Sequence, residues 1–181
     1  MKESEIGDLT CSLARSLSLI GDAWTLLIVR ELFLGTRRYD DFIAVTGMAP
    51  KLLSARLKKL EAAGLVKRVL YMDKPKRYEY RLTRMGVELH PVMVTITQWG
   101  NRWRKPRGEK TPPLQFRHKT CGHVAEAALI CSCCGEGFNP QEIEPIQSTA
   151  FLAERESMKS ELHRKRAEPE YADTSDVNGE G

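Results

Sequence analysis

The chain has 181 residues, with 28 Lys and Arg against 24 Asp and Glu and a formal net charge of +4. That length suits one domain with an appendage, or two small domains. No apolar run approaches the roughly 18–20 residues of a membrane span, and the start MKESEIGDLT lacks the apolar stretch of a secretory signal, so a cytoplasmic protein with reduced thiols and no membrane partner is expected.

The charge is unevenly laid out. Residues 1–110 hold 21 basic and 12 acidic side chains, residues 111–166 hold seven of each, and residues 167–181 hold five acids and no base. A basic body of this kind favours a polyanionic partner, although charge alone speaks only to non-specific attraction.

In chain order, Leu9, Leu13, Leu17 and Ile20 recur at helical spacing until Gly21. Asp22 suits the N-cap of a second helix that carries Trp24, Leu27, Ile28 and Leu32 on one face and breaks at Gly35. A shorter helix over 39–45 ends at Gly47, and Trp24, Tyr39 and Phe42 read as core residues. The segment KLLSARLKKLEAAGLVKRV (51–69) places Leu53, Leu57 and Leu60 on one side of a fourth helix. Lys51, Ser54, Ala55 and Lys58 fall on the other side, with Arg56 and Lys59 on the flanks. Pro50 suits its first turn and Gly64 the position just past its end.

After Gly64 the apolar period changes to two. LVKRVLYM and RYEYRLT read as the strands of a hairpin whose tip, DKPK, brings Lys74, Lys76 and Arg77 around Pro75. A solvated amphipathic helix would account for the basic helix alone. A winged helix-turn-helix accounts for both basic elements, because its second helix enters the major groove of double-stranded DNA while the wing reaches toward the backbone or minor groove. The predicted fold is therefore mainly α with a small β-wing.

Thr83 can cap a long helix, RMGVELHPVMVTITQWGNRW, which Pro91 should kink rather than end. Val87, Leu89, Val92, Met93, Ile96, Trp99 and Trp103 make it apolar on more than one side. Packing against the Leu9–Ile20 helix and a homodimer interface are both open readings, the second because operators are usually read by two-fold dimers. These elements form a DNA-binding and dimerisation domain over 1–104. KPRGEKTPP marks a linker at 105–113, a helix runs from about 149 to 166 within the segment 146–166, and 167–181 reads as a disordered acidic tail.

Between linker and helix lies RHKTCGHVAEAALICSCCGEGF, a small module over 114–145. It contains two x-x-Cys-Gly turns, His118 to Cys121 and Cys131 to Cys134, nine residues apart. This is the pattern of two zinc knuckles. His118, Cys121, Cys131 and Cys134 are candidate ligands for a structural tetrahedral zinc in a zinc-ribbon-like β module, and His123 and Cys133 are spare donors. A redox or electrophile switch built from Cys131, Cys133 and Cys134 is a second reading, and cysteines without a role a third.

The stretches CSLARSLSLIGDAWTLLIVRELFLGTRRYDDF, GMAPKLLSARLKKLEAAGLVKRVLY and KRYEYRLTRMGVEL resemble the HxlR-type transcriptional regulators, a branch of the MarR-like winged-helix proteins, over residues 11–100. The resemblance implies a prokaryotic repressor or activator that dimerises through its terminal helices and uses the 50–63 helix for recognition. It also implies that Cys11, otherwise an inert helix cysteine, is a candidate sensor of oxidants or electrophiles, and that a small-molecule effector is an alternative input.

In roles, Lys51, Ser54, Ala55 and Lys58 are expected to face the major groove, with Arg56 and Lys59 steering toward phosphates. Arg37 and Arg38 precede a helix start, where side chain and helix N–H groups can jointly hold a phosphate. Lys74, Lys76 and Arg77 are the wing contacts. No catalytic triad, Gly-rich phosphate loop or HExxH motif is present in the sequence, so a non-enzyme is expected. The expected function is that of a sequence-specific DNA-binding transcriptional regulator acting as a homodimer on a palindromic operator. The competing class is a winged-helix protein–protein adaptor that docks through the cysteine module.

Overall fold

A computed structural model describes residues 3–104, 106–108 and 110–167. The linker positions 105 and 109 and the acidic tail from 168 onward lie outside the described residues. The elements run as a 3-10 helix (Glu3–Asp8), α1 (Ser12–Ile20), α2 (Ala23–Leu34), α3 (Tyr39–Thr46), α4 (Pro50–Ala62), β1 (Val66–Met72), β2 (Arg77–Leu82), α5 (Arg84–Val87), α6 (His90–Trp103) and α7 (Thr149–Ala167). The fold is mainly helical with one two-stranded antiparallel sheet. Among the described residues no helix is long and apolar enough to cross a membrane.

Local chemistry sets the helix ends. The Asp22 carboxylate accepts from the Thr25 N–H at 2.9 Å and from the Thr25 hydroxyl at 2.6 Å, capping α2 as its position suggested. Burial opposes ionisation of Asp22, but the two Thr25 bonds and the charges of Arg56 and Lys59 outweigh it and hold its carboxyl below the usual range. Gly35 and Gly47 end α2 and α3 in the left-handed conformation.

The core gathers Ile28, Val29 and Leu32 of α2, Phe42 of α3, Leu53, Leu57 and Leu60 of α4, and Leu65 and Val66 leading into β1, all at most 2% exposed. The leucine face of α4 is thus the one expected from spacing. On α2 the buried face is rotated from expectation: Thr25, Ile28, Val29 and Leu32 point inward and Trp24 is 36% exposed. The Asp22–Thr25 cap lets the Thr25 hydroxyl be buried with its hydrogen bond made, which leaves the bulkier indole outside. Tyr39 is half-buried and Phe42 fully buried, the latter edge-on to Tyr80 of the wing at 6.3 Å.

The hairpin pairs Val66 with Leu82, Arg68 with Tyr80 and Leu70 with Tyr78, then shifts register before Met72 pairs with Arg77. Tyr71 is the residue left over, as in a β-bulge. A bond from the Tyr80 N–H to the Arg37 carbonyl at 2.8 Å fastens the wing to the α2–α3 turn.

The long C-terminal helix predicted from Thr83 onward is two helices. The Thr83 hydroxyl caps α5, accepting from the Gly86 N–H at 3.2 Å, and the Leu89 N–H bonds to the Gly86 carbonyl in a tightened turn. Pro91 has no N–H to offer the Val87 carbonyl, and a proline is unstrained in a first turn, so the chain restarts as α6 instead of bending through. α6 packs on α2, with Phe33 edge-on to His90 at 5.0 Å. The outward residues Val92, Ile96, Trp99 and Trp103 stay 40–68% exposed, as do Leu13 and Leu17 of α1 at 66% and 49%.

Candidate nucleic-acid interface

The basic helix α4 is split in two by its neighbours. Lys51, Ala55 and Lys58 are exposed, and Ser54 between them is half-buried. At positions i, i+3, i+4 and i+7 they form one outward stripe opposite Leu53, Leu57 and Leu60. The Tyr39 hydroxyl of α3 lies 2.9 Å from the Ser54 hydroxyl and donates to the Pro50 carbonyl at 2.7 Å, which fixes the start of α4 against α3.

The flanking cations turn the other way. Arg56 Nε is 3.2 Å from Asp22 Oδ1 and buried without a hydrogen bond, so the contact is a charge pair and not a directed bond. Lys59 Nζ donates to the Ser18 carbonyl at 2.9 Å, near the C-terminal end of α1. Both were expected to steer phosphates. In this structure they hold α4 to α1 and α2, Arg56 through the carboxylate of the α2 cap and Lys59, itself exposed, through a helix-end carbonyl.

Arg37 is likewise engaged within the fold. Its Nη1 donates to the Leu32 carbonyl at 2.6 Å and sits 3.4 Å from the Thr36 carbonyl, closing the end of α2. The first turn of α3 also carries Asp40 and Asp41, so the helix-start phosphate site expected there has an acidic rim. Arg38 remains exposed, with its guanidinium 4.9 Å above the Tyr71 ring. Lys74, Lys76 and Arg77 are all exposed on the wing. Arg38, Tyr39, Tyr71, Arg77 and Tyr78, together with Asp40 and Asp41, line an open cleft of about 360 Å³ between α3 and the wing. Tyr71 and Tyr78 were not singled out in the sequence. The bulge that turns Tyr71 toward Arg38 depends on strand register, and no local motif announces it.

These elements have a counterpart among known proteins. Residues 19–108 match the HxlR-like helix-turn-helix family. An HTH-type transcriptional regulator of Mycobacterium tuberculosis, described as uncharacterized, is 42% identical over 142 residues, spanning 78% of this chain and 89% of that protein. The chain belongs to the HxlR-like helix-turn-helix family. A Synechocystis HTH-type regulator is 36% identical over 94 residues, 51% of this chain and 70% of its own. Among solved structures, PA1607, described as a candidate transcription factor, superposes with a TM-score of 0.70 at 29% identity over 78% of this chain and 98% of its own. The oxidized form of the redox regulator HypR gives 0.50 at 29% identity, over 53% of this chain and all of its own. This HxlR-like protein is a DNA-binding transcriptional regulator.

The cysteines of this HxlR-like chain lie in other segments, at the start of α1 and between α6 and α7. Cys11 is half-buried at the N-cap of α1, and its side chain makes no capping bond. Next to it, the Thr10 N–H and hydroxyl both donate to Glu154 of α7, at 2.9 and 2.7 Å. Cys121, Cys133 and Cys134 are exposed and Cys131 half-buried. The Cys131 thiol is held below its ordinary range by the N–H groups of Cys134 and Cys133 and then by the Cys134 thiol. The 114–145 segment is looser than the β module expected of it, with the isolated bridges Arg117–Val124 and Ile130–Gly137 in place of strands. Among the described residues, no group of three or more His, Cys, Asp or Glu side chains is gathered in a way that could hold a metal ion. The bridges span only one residue pair each, too few to align the two turns without a further link.

Proposed function

We propose that two copies of this chain bind an operator of two-fold symmetry, each placing α4 in a major groove and its wing on the flanking backbone. The observation that carries this reading is the outward stripe of Lys51, Ser54, Ala55 and Lys58 on the same module as the exposed wing cations Lys74, Lys76 and Arg77. The second copy is supported by the apolar stripe Val92, Ile96, Trp99 and Trp103, which α2 does not cover. Fluorescence anisotropy of the full chain against duplex from upstream of its own gene, beside a scrambled duplex and across a salt series, tests it. Tighter binding to the upstream duplex, falling steeply with salt, is the expected result. No binding to either duplex at low salt would overturn it and favour the protein–protein adaptor.

The regulation we propose is oxidation at Cys11 or Cys133, supported by the likeness to the redox regulator HypR and, for Cys133, by its exposed thiol. Loss of duplex binding under diamide that is absent in Cys11→Ser or in Cys133→Ser assigns the sensor, and loss that persists in both removes it. A small-molecule effector would take the apolar cleft of about 390 Å³ between α6 and the first cysteine turn, lined by His90, Pro91, Val94, Phe116 and Ala125.

A further inference from the structure

The segment from 114 to 148 has little to hold it in shape. Val124, Leu129, Ile130, Phe138, Ile143 and Ile146 are all 42% exposed or more. A stretch of this length that buries so little apolar surface needs a staple of another kind.

Within it the backbone makes the same turn twice. The His118 N–H bonds to the His123 carbonyl at 2.9 Å, and 13 residues on the Cys131 N–H bonds to the Glu136 carbonyl at 2.8 Å. Gly122 N–H reaches the His118 carbonyl at 2.8 Å and Gly135 N–H the Cys131 carbonyl at 2.9 Å. Outside these, Ala125 N–H bonds to the Phe116 carbonyl and Phe138 N–H to the Leu129 carbonyl, at 3.1 and 2.9 Å. Gly122 and Gly135 take φ values of +75° and +77°, a conformation that other residues rarely adopt. Each turn is thus a tight loop that sets its first and fourth side chains together.

Those side chains are His118 and Cys121 in one turn, Cys131 and Cys134 in the other. In the first turn His118 Nδ1 is 3.4 Å from Cys121 Sγ. Tetrahedral zinc, with Zn–N near 2.0 Å and Zn–S near 2.3 Å, places two such ligands about 3.5 Å apart. The pair is therefore already at the spacing of one edge of a coordination tetrahedron. The repeat also sorts the spare donors. Cys133 corresponds to Thr120, and His123 to Glu136, so neither position carries a Cys or a His in both turns, as the first and fourth positions do.

We propose that the two turns are the halves of one structural zinc site, with His118, Cys121, Cys131 and Cys134 as its four ligands, and that the ion draws the second turn onto the first. The first half is anchored on α6: Asn101 Nδ2 donates to the Leu114 carbonyl at 2.8 Å, and Phe116 stands edge-on to His90 at 6.3 Å. The second turn has eight residues, 123–130, in which to swing onto it.

The test uses the full-length protein purified under reducing conditions. Metal content is measured by plasma mass spectrometry, and the metal-free chain is then titrated with Co²⁺ alone. One zinc per chain and a Co²⁺ spectrum of tetrahedral thiolate ligation, with an endpoint at one equivalent, are expected. Cys131→Ser with Cys134→Ser, and separately His118→Ala, should abolish that spectrum, whereas Cys133→Ser and His123→Ala keep it. Amide exchange across 114–138 should slow when Zn²⁺ is added, while α2 to α4 stay unchanged, which separates metal binding from loss of the winged-helix fold. A six-coordinate Co²⁺ spectrum, half an ion per chain, or loss of the signal in Cys133→Ser with retention in Cys134→Ser would overturn the proposal.

Discussion

Lys58 and Lys59 are neighbours on α4 with different tasks. Lys58 points to solvent, whereas Lys59 is tied to the Ser18 carbonyl and Arg56 is paired with Asp22. Lys51→Ala and Lys58→Ala should each weaken duplex binding roughly five- to tenfold and lower the slope of log affinity against log salt by about 1. Arg56→Ala and Lys59→Ala should leave that slope unchanged and cost about 1 kcal/mol of stability, read from urea midpoints. Asp22 gives the pH side of the same contact. Its carboxyl is lowered from the ordinary 3.8, so its stabilising contribution is fully present above that value and is lost as pH falls through the lower folded-state value. Asp22→Asn keeps a capping oxygen and removes the charge. Its urea midpoint should fall at pH 7 and approach that of the unaltered protein near pH 2, and an equal deficit at both pH values would sink the assignment.

At the scale of elements, the wing is held where β2 runs into α5. The Thr83 hydroxyl donates to the Gly64 carbonyl at 2.6 Å while accepting from Gly86, so one side chain joins the end of α4 to the start of α5. Gly86 is the close-contact point. A Cβ there would lie 2.2 Å from the Leu65 carbonyl oxygen and 2.9 Å from Leu82 Cδ2, and a backbone oxygen cannot move aside as a side chain can. Gly86→Ala should therefore cost about 2–3 kcal/mol and lower the thermal midpoint by several degrees, although alanine is the better helix former. A neutral or stabilising result would show that α5 can shift off β1, and with it that the wing is less firmly placed than its hydrogen bonds imply.

For the whole molecule, the unspent resource is apolar surface on α6 and α1. Trp99 and Trp103 at 60% and 68% exposure represent more apolar area than a monomer in water usually leaves uncovered along one helix. Trp99→Lys with Trp103→Lys should convert a dimer to a monomer by light scattering on a sizing column. Specific duplex affinity should fall by tenfold or more, since each α4 would then bind its half-site alone. A monomeric parent protein would contradict the homodimer proposal directly.

Much was legible in the sequence because it is local: the leucine face of α4, the change of period after Gly64, the Asp22 cap and the Gly-terminated turns each depend on residues within a few positions of one another. Family membership was legible for the same reason, carried by contiguous motifs over residues 11–100. What tertiary structure decided is which cations are free. Spacing alone puts Lys58 on the outward side and Arg56 and Lys59 on its flanks, but only the approach of Asp22 and of the end of α1, more than thirty residues away in the chain, gives Arg56 and Lys59 partners of their own. The same holds for Arg37, claimed by the Leu32 carbonyl, and for Tyr71, swung toward Arg38 by a register shift. Hydrophobic periodicity reports which face of a helix is buried, whereas a long flexible cation goes to whichever oxygen the fold brings within reach.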